Sequence, residues 1–316
     1  MRHQIDLSPL GNAVDAVVGV SRSGRRETDG QGAATAETPF RIASLTKPLT
    51  AIATVVAAEK ADVDLETPVA DLGPIGSGAD LGLSVAHLLA QTSGLAPVVT
   101  ADAVAAIGDG EGALGEAARL VLGAGQVRPP GKRWEYYNGN YFVAGALLAS
   151  LAGGSYEEAL DHTLLRPWGL TRTTFTVPAD LVPGTEQGQV LPGASYPRGR
   201  RPSGGLCATA ADLLTVGEQL LARPELLAVV RTVRTRADDP MRYGFGWAIG
   251  RSGQLYLNGR LPGYRAAWMI VPEHDLVAVG LAAGSETLPA LAQILDEQQA
   301  SLTGDRIADD IDAFAA

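Results

Sequence analysis

Two polar side chains near the start of the chain carry the strongest chemical signal. Ser44 and Lys47 lie three residues apart in Ser44-Leu45-Thr46-Lys47, in a sequence of 316 residues with only three lysines. On a helix, residues at this spacing share a face, with Cβ atoms about 5–6 Å apart, so the amine reaches the hydroxyl. A serine hydroxyl attacks a carbonyl only when a base or a cation stands beside it. The positive end of the helix further favours negative charge at Ser44. A Ser-x-x-Lys spacing also arises from a helix cap followed by an exposed lysine. Here the apolar run after it (Leu49, Ile52, Val55, Val56) places Lys47 at the mouth of a buried helix. An amine in that position needs a partner. Pro48 fits the first turn, where the backbone N–H has no intrahelical partner. A second signal is Tyr136-Tyr137-Asn138, between a Pro129-Pro130-Gly131 turn and an apolar stretch. Loop residues Tyr136 and Asn138 can project into one cleft. Beside a lysine, the tyrosinate form of Tyr136 is favoured, which makes it a candidate proton shuttle.

Hydrophobic periodicity supplies the elements that must position these groups. Val14 to Ser21 reads as a strand, with a weaker one near Arg26 to Gly32. A long helical pattern runs from about Ser44 to Glu59. Helices are expected at Ser84–Ala90 with Ser84 as cap, Thr100–Ile107, Gly115–Leu122, Asn140–Leu151, Tyr156–Leu165 and Thr209–Leu221. Four short strands follow at Tyr243–Ile249, Gln254–Leu257, Ala266–Val271 and Leu276–Leu281, and a closing helix at Glu286–Ser301. Strands at both ends with helices between them predict a layered α/β (α+β) fold: an antiparallel sheet built from both termini, flanked by helices, with a mostly helical insert. The expected division is 1–60 with 241–316 for the sheet domain and 61–240 for the insert.

Composition excludes several classes. A hydrophobic content of 46% with 19% charged residues is that of a globular chain with a real core. The net charge of −10 and the scarcity of lysine argue against nucleic acid. Arg198, Arg200 and Arg201 cluster among Pro and Gly and read as a solvated loop. A single cysteine, Cys207, precludes an intrachain disulfide and reads as a buried thiol. No apolar run approaches the ~20 residues that span a bilayer, and residues 1–15 lack a leader pattern, so a cytoplasmic protein without membrane contact is expected. A Ser-His-Asp triad would have to use one of the four histidines, but the sequence has no Gly-x-Ser-x-Gly elbow, and no ligand spacing indicates a metal. Gly110-x-Gly112-x-x-Gly115 follows helix-like rather than strand-like sequence and is set aside as a dinucleotide site. No cofactor or metal is expected.

Phe40-Arg41-Ile42-Ala43-Ser44-Leu45-Thr46-Lys47-Pro48 and Tyr136-x-Asn138 resemble the first two motifs of the serine β-lactamase and penicillin-binding-protein superfamily. They are nearest its class C branch, which includes esterases, D-stereospecific peptidases and acyltransferases. Further stretches resemble it in order: His87 to Leu95, Ser155 to Glu158, Arg166 to Leu170, Gly204 to Leu206 before Thr209 to Leu213, and Tyr243 to Trp247. The third motif departs from the pattern, because Leu257-Asn258-Gly259 stands where branch members usually carry Lys or His, any residue, then Gly.

The resemblance implies a β-lactamase/transpeptidase-like fold and acyl transfer through an acyl-enzyme on Ser44. In that scheme Lys47 and Tyr136 move the proton, in an order left open. Asn138 holds Lys47 or the substrate, and Asn258 and Gly259 line the cleft. The N–H groups of Ser44 and Arg260 form the oxyanion hole, and Gly259 lets a substrate backbone approach. The expected activity is hydrolysis or acyl transfer on a small-molecule ester or amide. Leu257 in place of a cation favours a neutral acyl group. The alternatives are an acyl-accepting sensor or binding protein with negligible turnover, and a catalytically silent relative. Oligomeric state is left open.

Overall fold

The computed structural model describes residues 5–11, 15–73, 75, 82–192 and 195–314. Val14, where the first strand is expected to begin, lies outside them. The chain opens with strands β1 (Ala16–Arg22) and β2 (Arg25–Gln31), then the two-residue strand β3 (Phe40–Arg41), a single 3₁₀ turn at Ala43–Leu45, and helix α1 (Thr46–Lys60). Helices α2 (Val85–Leu89), α3 (Ala101–Ala105), α4 (Ala113–Gly123), α5 (Asn138–Ala152) and α6 (Tyr156–Leu160) follow. A small hairpin, β4 (Thr185–Glu186) and β5 (Gln189–Val190), precedes α7 (Arg201–Gly204), β6 (Cys207–Ala208), α8 (Ala210–Leu221) and α9 (Pro224–Arg231). Strands β7 (Ala248–Ile249), β8 (Leu255–Leu261), β9 (Tyr264–Val271) and β10 (Leu276–Ala282) lead to α10 (Leu288–Thr303) and α11 (Ala308–Ala313).

Six strands form one antiparallel sheet in the order β2-β1-β10-β9-β8-β7. The first two strands therefore join the last four across more than two hundred residues of intervening chain. All seven residues of β10 are buried, which is why its sequence is apolar throughout rather than alternating. Leu214 of α8 lies over Gly19, and Leu291 of α10 lies over Gly280. Gly280 pairs with Val18, so neighbouring residues of β1 face different helices and the sheet is covered on both sides. Helix α8, from the 61–240 stretch, thus packs on the sheet itself. Between the sheet strands, α5 is apolar on every face and buried from Gly139 to Leu148, and it packs on α1, α4 and α6.

Several expected elements differ from those observed. Of Tyr243–Ile249 only Ala248–Ile249 is strand. Tyr243, Phe245 and Trp247 are fully buried, in a segment broken by Gly244 and Gly246, so the aromatic run serves the core rather than a ladder. The expected helix Tyr156–Leu165 changes to a π-turn over Asp161–Leu165. Helices α9 and α11 lie beyond the expected set. His87 is part of a capping box with Ser84 at the start of α2, a structural role. Among the described residues no helix is long and apolar enough to cross a membrane.

Two features of this frame set up the cleft. Strand β3 pairs with β6, and Ile42 N–H donates to the Leu206 carbonyl at 3.1 Å, which fixes the backbone just before Ser44. Strand β7 covers β8 only opposite Leu255 and Tyr256, so β8 runs on from Leu257 without a strand on that side.

Candidate active site

Ser44 sits in the 3₁₀ turn that feeds α1, half-buried while its neighbours are buried. The preceding Ala43 has φ +47°, a left-handed conformation that a side chain rarely adopts. The turn is held in place from both sides, by the β3–β6 pair and by β8. A Cβ at Gly259 would lie 2.3 Å from the Ile42 carbonyl oxygen, so the glycine is required by the protein's own backbone. This corrects the expectation that Gly259 makes room for a substrate.

From this turn, α1 carries Lys47 inward. Its side chain is completely buried, and Nζ donates to Ser44 Oγ at 3.1 Å and to the Ser203 carbonyl of α7 at 2.7 Å. The rings of Tyr136 and Tyr141 lie 4.8 and 5.7 Å from Nζ. Among the described residues no carboxylate pairs with it. Burial, and secondarily the charge of Arg200, holds its pKa well below the usual lysine range. Tyr136 Oη stands 2.8 Å from Ser44 Oγ, so hydroxyl, amine and phenol meet at one oxygen. Burial pushes the Tyr136 phenol up from its ordinary value, against the opposing hydrogen bond from Ser44. The expected tyrosinate is thus disfavoured, and the group that sheds its proton readily is Lys47.

The loop carrying Tyr136 hangs on Gln91. Its carbonyl accepts from Glu135 N–H at 2.9 Å, and its Oε1 accepts from Tyr137 N–H at 3.1 Å and from Asn140 Nδ2 at 2.5 Å. Ser93 Oγ completes the frame by donating to Asn140 Oδ1 at 2.6 Å. Gln91, like Ala43, is a non-glycine residue with positive φ, +60°. The signal for these positioning residues lies in Gln91-Thr92-Ser93, within the His87 to Leu95 stretch that resembles the family. Asn138 is the first residue of α5, exposed, and does not touch Lys47, whose second partner is Ser203.

Strand β8 departs most from expectation. Leu257 is fully buried beside Trp268 and is a packing residue. Asn258 is buried and donates from Nδ2 to the carbonyls of Ile311 at 2.6 Å and Phe314 at 2.8 Å, not toward the cleft. The Arg260 guanidinium donates to the Asp312 carbonyl and lies 3.7 Å from its carboxylate. The direction of the Arg260 backbone follows from the hairpin. Leu261 and Tyr264 flank the Pro262-Gly263 turn, and since Pro262 has no N–H they form the hydrogen-bonded pair. The Arg260 N–H therefore points away from β9, toward the side that β7 leaves uncovered.

The arginine cluster is built rather than solvated. Arg198 and Arg201 both pair with Glu157, while Arg200 lies over the Tyr196 ring at 5.1 Å. A groove of about 690 Å³ opens beside Tyr196 and Leu261, with Val177, Leu181 and Leu191 on its walls and Arg41 and Arg200 at its edges. Tyr196 Oη is 3.5 Å from Ser203 Oγ, so the groove abuts the residue that holds Lys47.

A family model described as Beta-lactamase matches residues 9–300. Protein flp of Staphylococcus aureus (strain N315) is 25% identical over 296 residues, covering 87% of this chain and 59% of that protein. The chain thus spans about six-tenths of the length of that relative. Among solved structures, a class C beta-lactamase superposes with a TM-score of 0.80 at 18% identity, over 93% of each chain. EstCE1, a hydrolase with promiscuous acyltransferase activity, superposes with a TM-score of 0.73 at 21% identity, over 88% of this chain and 91% of that one.

Proposed function

The chain belongs to the beta-lactamase family, and from that premise we propose that it is a serine hydrolase or acyltransferase acting on a small-molecule ester or amide. One observation carries the reading: Ser44 Oγ lies 3.1 Å from the Nζ of a fully buried lysine and 2.8 Å from the Tyr136 hydroxyl. Neutral Lys47 takes the Ser44 proton as Oγ attacks the carbonyl carbon. The oxyanion is held by the N–H groups of Ser44 and Arg260. The proton passes through Tyr136 to the leaving group as the C–O or C–N bond breaks, leaving an acyl ester on Ser44. Water or another acceptor then attacks that ester, and the same groups run in reverse. The exposed Asn138 is free to meet the substrate.

The apolar groove beside Tyr196 and Leu261 supports an apolar acyl group, and the burial of Leu257 leaves no third-motif cation to greet a carboxylate. The test is turnover of p-nitrophenyl esters of increasing chain length against a chromogenic cephalosporin, with Ser44→Ala as control. Ester turnover that is lost in Ser44→Ala is expected. Faster turnover of the cephalosporin overturns the neutral-substrate reading. A stable adduct on Ser44 without turnover makes the protein an acyl-accepting binding protein instead.

A further inference from the structure

The residues of β8 expected to bind substrate are engaged with the chain's own closing segment. Asn258 Nδ2 reaches the carbonyls of Ile311, Asp312 and Phe314 at 2.6, 3.4 and 2.8 Å. Arg260 adds its guanidinium contact to Asp312. These bonds hold the backbone beside Phe314, whose side chain is 1% exposed. Its ring stacks on Tyr243 at 6.1 Å with planes 7° apart, and leans on Trp134 at 6.2 Å. It also meets the ring of Tyr136 edge-on, at 5.5 Å and 88°.

Tyr136 needs such a support. The loop backbone on either side of it is fixed through Gln91, but the position of Oη depends on the torsions of a side chain whose one hydrogen-bond partner among the described residues is Ser44. A side chain free to swing about χ1 would carry Oη out of that contact, and proton transfer demands hydrogen-bond reach. We infer that Phe314 is a positioning residue for Tyr136, delivered by a latch in which Asn258 and Arg260 grip the backbone of residues 311–314. The inference rests on the catalytic reading of Ser44 and adds a part to it. The same strand then presents the Arg260 N–H to the oxyanion and ties down the segment that aligns the phenol. This gives Asn258 and the Arg260 side chain a role that needs no contact with substrate.

The experiment compares Phe314→Ala, Phe314→Leu, Asn258→Ala and the Phe314→Ala/Asn258→Ala double variant with the unaltered protein. It measures kcat and KM on a p-nitrophenyl ester, per active site counted by fluorophosphonate labelling of Ser44. Counting sites removes any loss due to unfolded material, and Phe314→Leu keeps the pocket filled should the alanine variant fold poorly. In Phe314→Ala, kcat is expected to fall about tenfold to a hundredfold, as a misplacement of about 1 Å does, with KM little changed. Phe314→Leu falls less. Asn258→Ala falls in the same sense, and the double variant is no worse than Phe314→Ala alone, because both act through one element. Unchanged or increased kcat per site overturns the inference, as does a loss confined to KM or an additive double variant. If Ser44 in the unaltered protein takes no label, the catalytic reading fails and this one with it. A labelled Ser44 with Phe314→Ala at full kcat sinks the latch alone.

Discussion

The start of α1 and the end of β8 pack against each other through Gly259 and the turn at Ile42, but they are built by different rules. At α1, the reactive groups are spaced by the helix itself: Ser44 and Lys47 are three residues apart and meet at 3.1 Å. At β8, each side chain is committed to distant parts of the chain, Leu257 to the sheet core and Asn258 and Arg260 to residues 311–314. What β8 offers to chemistry is backbone, a glycine that fits against Ile42 and one N–H. In the proposed reaction α1 supplies the reactive groups and β8 supplies shape. Substitutions on the two sides are accordingly expected to differ in kind.

The largest effect is expected at Lys47. Lys47→Met keeps the length and packing of the side chain and removes the proposed base. Acylation of Ser44 is expected to slow by about 10²–10⁴-fold, the usual contribution of general base catalysis. The same variant is expected to melt at a higher temperature, since a buried amine with no carboxylate partner is replaced by an apolar group. Slower labelling by fluorophosphonate together with a raised Tm checks both halves. A Lys47→Met protein that retained full activity would place the base elsewhere and erase the contrast.

Next comes Gly259, where shape alone is at stake. A methyl group in Gly259→Ala meets the Ile42 carbonyl oxygen at 2.3 Å, and backbone must move to admit it. The displaced turn carries Ser44. A shift of about 1 Å there is expected to lower kcat/KM on an ester by about 10²-fold, with no titratable group altered. The pH profile should keep its form while its height drops. A variant of normal activity would show that Ser44 does not depend on β8.

The two sides also differ in how far the sequence reveals them. Ser44, Lys47 and Tyr136 are legible because helix periodicity and a Pro-Gly turn are local, and the sheet strands are legible from apolar runs such as Leu276 to Leu281. Asn258 is not. Nothing near it in sequence announces Ile311 or Phe314, and a buried amide gripping remote carbonyls looks in sequence like an amide lining a cleft. The protonation state of Tyr136 was hidden for a related reason. Proximity to a lysine favours tyrosinate, but the burial that outweighs it is assembled only by the fold, which sets the Phe314 ring edge-on against Tyr136. Arg198 and Arg201 likewise look like a solvated run until Glu157 is placed between them.

The smallest expected effect is also the most selective. Arg200 lines the groove, and its charge helps to hold the Lys47 pKa low, after burial. Around Lys47 the other groups are the neutral phenols Tyr136 and Tyr141, and the nearby Glu157 is engaged by Arg198 and Arg201. Removing a neighbouring positive charge favours the protonated amine, so Arg200→Gln raises the Lys47 pKa. The base is active only when neutral, so the acid limb of the kcat profile is expected to move to higher pH. Arg200→Lys, which keeps the charge, should leave the limb in place. The readout is the position of the limb, not the plateau, because Arg200 also lies over Tyr196 and its loss can alter substrate fit. A limb that stays put in Arg200→Gln, or moves to lower pH, would mean that the titrating group is not Lys47. The amine would then serve Ser44 by hydrogen bonding alone.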